Sequence, residues 1–129
     1  MSKNYYALTK DKELIRKYGL TFELTDSPDW GYWIHICQTT SILKPLYQAH
    51  QQIRDIDAVM RFIQEPNLQI YNEYEEPVEV QEFINTVIND DYYVNHALTR
   101  WDDFSKSSYF SNTYFKDYKG YEFCISDFV

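Results

Sequence analysis

Three glycines and four prolines in 129 residues exclude a collagen-like repeat or a linker-like chain. Two cysteines, Cys37 and Cys124, are too few for a disulfide scaffold. Each lies in a strand-like apolar pattern, where a free thiol behaves as a small hydrophobe. A Cys37–Cys124 disulfide stays open but is disfavoured without a secretion signal. The opening MSKNYYALTK has no apolar signal stretch, and no run approaches the roughly 18 apolar residues of a membrane span. These absences predict a cytoplasmic protein. Catalytic motifs are missing too: there is no GxSxG elbow, no Gly-rich phosphate loop and no HExxH. The chain is therefore not expected to be an enzyme, and no cofactor is expected. It also lacks a basic patch to neutralise phosphates, which excludes direct binding of nucleic acid.

What the chain has is aromatic mass and acid. Phe, Trp and Tyr make up 19% of it, 13 of them Tyr, and the formal net charge is −8. At this length one domain, residues 1–129, can bury a core unaided. The acid is concentrated: over residues 73–103 stand Glu73, Glu75, Glu76, Glu79, Glu82, Asp90, Asp91, Asp102 and Asp103 against Arg100 alone. Elsewhere acids and bases cancel. Such a field favours a basic partner or a cation. A solvated face that only aids solubility is the plain alternative.

The organising stretch is Trp30–His50. From Tyr32 to Gln38 the residues alternate, with Tyr32, Ile34 and Ile36 on one side and Trp33, His35 and Cys37 on the other, the period of a strand. Pro45 interrupts a second apolar run, Ile42–Tyr47, making it an edge or partly paired strand and the other arm of a hairpin. Leu20–Leu24, Leu68–Tyr71 and the alternation Tyr121, Phe123, Ile125 predict further strands. Lys10–Tyr18 before Gly19, Ile56–Ile63 after Asp55, and a stripe of Val80, Phe83, Ile84, Val87 and Ile88 predict helices. Pro77 suits the first turn of the last one. Residues 92–113 read as a third helical stripe or a long aromatic loop. The sum is an α+β fold: a mostly antiparallel sheet of about five to six strands with two or three helices packed on one face.

On this reading His35 and Cys37 share a strand face, and His50, His96 and Cys124 could approach them. No pair has the close spacing of a metal site, so packing is the favoured reading and no metal is expected. Protein binding fits better. Acids would stand in for phosphates and aromatics would anchor the contact. The candidate residues are Glu73, Glu75, Glu76, Glu79, Glu82, Asp90, Asp91, Tyr92, Tyr93, Trp101, Asp102 and Asp103. A second reading is a small-molecule or nucleotide-binding module with an aromatic pocket near Trp33, His35 and Cys37.

The opening NYY, the strand IHI, the bend IYNEYEE, the helical EF at Glu82-Phe83 and the closing GYEF resemble a family of small uncharacterised bacteriophage and prophage proteins. There NYY opens the chain, IHIGKSSGGW forms the hairpin and DEYG precedes the helix. The glycine of DEYG is Glu75 here, and the family's CxxC pair, suggestive of zinc, has no counterpart between Thr9 and Asp29. The resemblance implies a phage origin and the cytoplasm of a host cell. By analogy of class it implies an anti-CRISPR or other anti-defence protein, whose partner is a basic host protein such as a CRISPR nuclease.

Overall fold

The structure, a computed structural model, describes residues 2–25, 31–100 and 113–126. The predicted turn at 26–29, Trp30 and the stretch 101–112 lie outside them. Element order is β1 (Lys3–Thr9), α1 (Lys12–Tyr18), β2 (Glu23–Thr25), β3 (Gly31–Thr39), β4 (Leu46–Gln48), α2 (Ile56–Ile63), β5 (Leu68–Asn72), β6 (Pro77–Val78) and α3 (Val80–Phe83). Two π-helical pieces, Ile84–Ile88 and Tyr92–His96, then precede β7 (Tyr114–Lys116) and β8 (Glu122–Cys124). This is the expected α+β fold, with eight strands among the described residues rather than five or six. β6 is two residues long, and β2, β4, β7 and β8 three each, too short to leave a full period in the sequence.

The sheet runs β6-β5-β1-β3-β4-β8-β7, with β2 also paired to β3. β1 follows one edge of β3. The other edge is shared by β2, opposite Gly31–Trp33, and β4, opposite Cys37 and Gln38. Among the described strands every pairing is antiparallel except β4–β8; an isolated bridge between Leu43 and Leu98 is parallel as well. The hairpin around Pro45 forms as expected, but β4 is an interior strand, because Pro45 falls just before it and removes no ladder bond. Pro77 is in β6 opposite Tyr71, not in a helix. On this short edge strand its missing N–H blunts a free edge.

The helices show their signals. Asp11 caps α1 by accepting from Glu13 N, and Gly19 closes it at φ 59°, a left-handed conformation in which glycine is favoured. Asp55 caps α2 by accepting from Ala58 N at 2.8 Å. The predicted stripe of α3 is buried at Phe83, Ile84, Val87 and Ile88, but the helix widens after one turn, with Asn89 N donating to Ile84 O. Ile84, Thr86, Val87 and Ile88 are all β-branched, which weakens the α-helix. The Thr86 hydroxyl also donates to Glu82 O, competing for an acceptor of the ladder.

One feature of β3 overturns the expected face assignment. Tyr5 pairs with Cys37 and Tyr6 with His35, so Ile36 is an extra residue, a β-bulge. Consecutive residues of β1 face opposite ways, hence Cys37 lies with Tyr5 on one face and His35 with Tyr6 on the other. The core is built on the Cys37 face. There Ala7, Ile34, Tyr47, Ile70 and Phe123 join Leu14 and Tyr18 of α1, Val59 and Phe62 of α2, and Phe83 of α3. All three helices therefore cover that face. Cys124 follows Phe123 in β8 and points away from it, so Cys37 and Cys124 are on opposite faces, both buried and both free. No helix among the described residues is long and apolar enough to cross a membrane.

Candidate functional site

The acidic segment is carried by the β5–β6 turn and the start of α3. Asn72 frames the turn: its side-chain oxygen accepts from Tyr74 N and Glu76 N at 2.9 and 3.0 Å. Its backbone N–H donates to Glu76 O. This frame holds Glu75 at φ 60°, a left-handed conformation that costs an L-residue about 1–2 kcal/mol. Glu75, Glu76, Glu79 and Glu82 are exposed, and among the described residues no cation pairs with any of them. Glu73 is half-buried and accepts from Asn4 N at 2.8 Å, which ties the acidic turn to β1.

The remaining candidates are bound more closely to their own chain. Asp90 Oδ2 accepts from Tyr93 N. Asp91 is exposed, with His96 Nε2 3.3 Å from its carboxylate. Tyr92 and Tyr93 donate their hydroxyls to Ser41 O and Thr40 O, each at 2.9 Å, pinning the second π-helical piece to the β3–β4 loop. Only their ring faces are left for a partner, and Tyr93 is half-buried. Trp101, Asp102 and Asp103 lie outside the described residues.

Around the central strand there is little room. The void beside His35, Gln48 and His50 measures about 10 Å³, space for a single water at most. His35 Nε2 sits 3.0 Å from Asn4 Oδ1, and its Nδ1 3.4 Å from Gln48 Oε1. His50 Nδ1 accepts from Thr21 N, and its Nε2 lies 3.2 Å from His35 O. Both rings are thus used in packing. Burial pushes the Cys37 thiol well up, the opposite of a reactive cysteine. No group of three or more His, Cys, Asp or Glu side chains placed to hold a metal occurs among the described residues. A larger groove of about 340 Å³ opens between Lys44, Val87, Ile88, Tyr93 and Tyr121. Its polar tips are engaged inside the chain: Lys44 Nζ with Val94 O and the Tyr121 hydroxyl with Ile88 O.

Two arrangements escaped sequence reasoning. Glu122, which alternates with Tyr121 and Phe123 in the sequence, is 2% exposed and accepts from Arg100 Nη1 at 2.8 Å, from the Arg100 backbone N–H and from the Thr99 hydroxyl. Arg100 is therefore a structural partner of Glu122, not a counterion to the acidic run. The other is an aromatic row across β5, β1 and β3 on the face away from the helices. Tyr6 stacks on Trp33 at 5.0 Å and 23°, and Trp33 meets Tyr71 at 5.6 Å. The period of two in NYYALT and GYWIHI was the available signal, once register was known.

Compared with family models, with curated proteins and with solved structures, the chain finds no match.

Proposed function

We propose that this chain is a binding protein of phage origin that inhibits a nucleic-acid-handling host defence protein, of the kind a CRISPR nuclease represents. Its acidic edge occupies the partner's basic groove in place of phosphates. The observation that supports this is the row of exposed carboxylates at Glu75, Glu76, Glu79 and Glu82, with which no cation among the described residues pairs. Charges neutralised within the fold would offer a partner little, whereas these carry no compensating cation among the described residues and can exchange solvent for guanidinium and ammonium groups, Glu76 keeping its bond to the Asn72 side chain. Glu75 adds weight: a carboxylate occupies a left-handed position where glycine would be less strained, as in the DEYG motif of the family it resembles. Strain kept at a fixed charge points to use of that charge.

The test is capture of host proteins on the immobilised chain, with elution by duplex DNA. Partners should be displaced by DNA and by salt, and lost with Glu79→Lys combined with Glu82→Lys. Capture that withstands both high salt and the double charge reversal would remove the basis for this reading.

A further inference from the structure

The aromatic row on the open face of the sheet is not needed by the core. Tyr6, Leu8, Trp33 and Tyr71 are absent from the buried cluster that unites the helices with the sheet, and all four are half-buried. Among the described residues no hydrogen bond of the chain engages the Trp33 indole N–H or the Tyr6 and Tyr71 hydroxyls. Nor does any described cation lie over these three rings; the cation–ring contacts are Lys17 on Tyr18, Arg54 on Phe115 and Lys119 on Tyr118. Half-exposed aromatic rings with idle polar tips suit an interface better than a core.

The charge around the row has one sign. Glu23 is paired directly opposite Trp33, so the two side chains share a face. Glu73 is anchored on Asn4 N, at the near end of β1. The Tyr6 phenol is pushed up by burial and then by Glu73 and Glu23, which puts both carboxylates within electrostatic reach of the row. Of lysine and arginine, β1, β2, β3 and β5 hold only Lys3, which shares the parity of Tyr5 and Ala7 and so faces the other way; His35, whose ring lies 5.3 Å from that of Tyr6, is buried and held between Asn4 and Gln48. Phosphate would be repelled here, which disfavours a nucleic acid stacking on the rings.

We propose that this face docks an arginine-bearing segment of a basic protein partner, with a guanidinium stacked on Trp33 and Tyr6 and flanked by Glu23 and Glu73. Guanidinium is favoured over ammonium because it is planar, weakly hydrated and able to stack on a ring while its edge bonds a carboxylate. The inference rests on the reading of the chain as a binder of basic proteins. It adds the chemistry recognised and moves the specific contact from the acidic edge to the sheet face.

The experiment is an NMR titration of the ¹⁵N-labelled full chain at low salt with hexa-arginine, hexa-lysine and a ten-residue oligothymidylate, following the Trp33 indole resonance assigned through Trp33→Phe. Hexa-arginine should shift that resonance and bind several-fold more tightly than hexa-lysine, and the oligonucleotide should not shift it. Trp33→Ala should weaken binding about tenfold. Glu23→Gln, an exposed change that leaves the fold intact, should weaken it about threefold. Glu79→Lys with Glu82→Lys should change it much less than either. Binding that survives Trp33→Ala and Glu23→Gln but is lost with the Glu79/Glu82 reversal overturns the sheet-face site and leaves the acidic-edge reading standing. A chain that ignores both cationic peptides overturns both readings, as does a Trp33 resonance that responds to the oligonucleotide instead.

Discussion

Replacing Arg100 by Met tests the one buried ion pair among the described residues. Arg100 and Glu122 are 8% and 2% exposed, and Arg100 Nη1 also donates to Lys44 O at 2.6 Å. Removing one partner of a buried pair costs about 3–5 kcal/mol, because a charge is left uncompensated. Glu122 would retain the Thr99 hydroxyl and a backbone N–H at 3.2 Å, which places the expected loss near the lower end, about 3 kcal/mol. With a urea dependence of about 2 kcal/mol per molar, the unfolding midpoint should fall by about 1.5 M. The control is the double replacement Arg100→Met with Glu122→Met. Exchanging a buried pair for apolar side chains is often near neutral, so the double variant should regain most of the loss, to within about 1 kcal/mol of the parent. A single variant that loses less than about 1 kcal/mol, or a double variant no better than the single, would refute the account of the pair as mutually compensated charge.

Three further outcomes follow from the geometry. Glu75→Gly should raise stability by about 0.5–1 kcal/mol in urea melts, relief of the left-handed conformation outweighing the extra chain entropy; a loss would mean that the Glu75 side chain is held in the turn. Tyr47 is fully buried, with no hydrogen-bond partner for its hydroxyl among the described residues, so Tyr47→Phe should be neutral or stabilising by up to about 1 kcal/mol, measured the same way; a marked loss would reveal a bound water there. Glu65 accepts from Lys17 and from the Tyr18 hydroxyl at 2.7 and 2.6 Å, and these bonds hold its carboxyl below the ordinary 4.5. Its contribution is therefore present above that value and lost as pH falls through the lower folded one. Tyr18, pushed up to about 12 by burial and by Glu65, works in the other direction, contributing fully below its ordinary value and losing that contribution as pH rises through 12. Tyr18→Phe should accordingly flatten both the acid and the alkaline limb of the urea midpoint plotted against pH; unchanged limbs would contradict the assignment.

The elements that announced themselves were those whose determinants are local. Asp55 caps a helix three residues on, Gly19 closes one, and the stripe from Val80 to Ile88 needs no distant partner to be seen. What stayed hidden depends on pairing. The alternation from Tyr32 to Gln38 runs unbroken through Ile36, yet β1 matches it with one residue fewer, so His35 and Cys37 part company. Burial of Glu122 needs Arg100 from a segment with no clear period. The acidic run was legible as composition, but only the fold separates carboxylates that stand free, such as Glu79 and Glu82, from Asp90 and Glu73, which serve the backbone. The Tyr6–Trp33–Tyr71 row brings together three strands whose order across the sheet is not written in any one of them.

The parallel β4–β8 pairing has a consequence for how the molecule assembles. Leu46, Tyr47 and Gln48 find their partners in Glu122, Phe123 and Cys124, so the closing contact spans most of the chain and must await nearly all of it. Pairings this distant in sequence are slow to form. Until they do, the outer edge of β4, with the aromatic ring of Tyr47 beside it, is an open template for another strand. Newly made chains would pass through a state in which β1, β3 and β5 are joined and this seam is bare. Until the last hairpin docks, a strand of another chain can pair there.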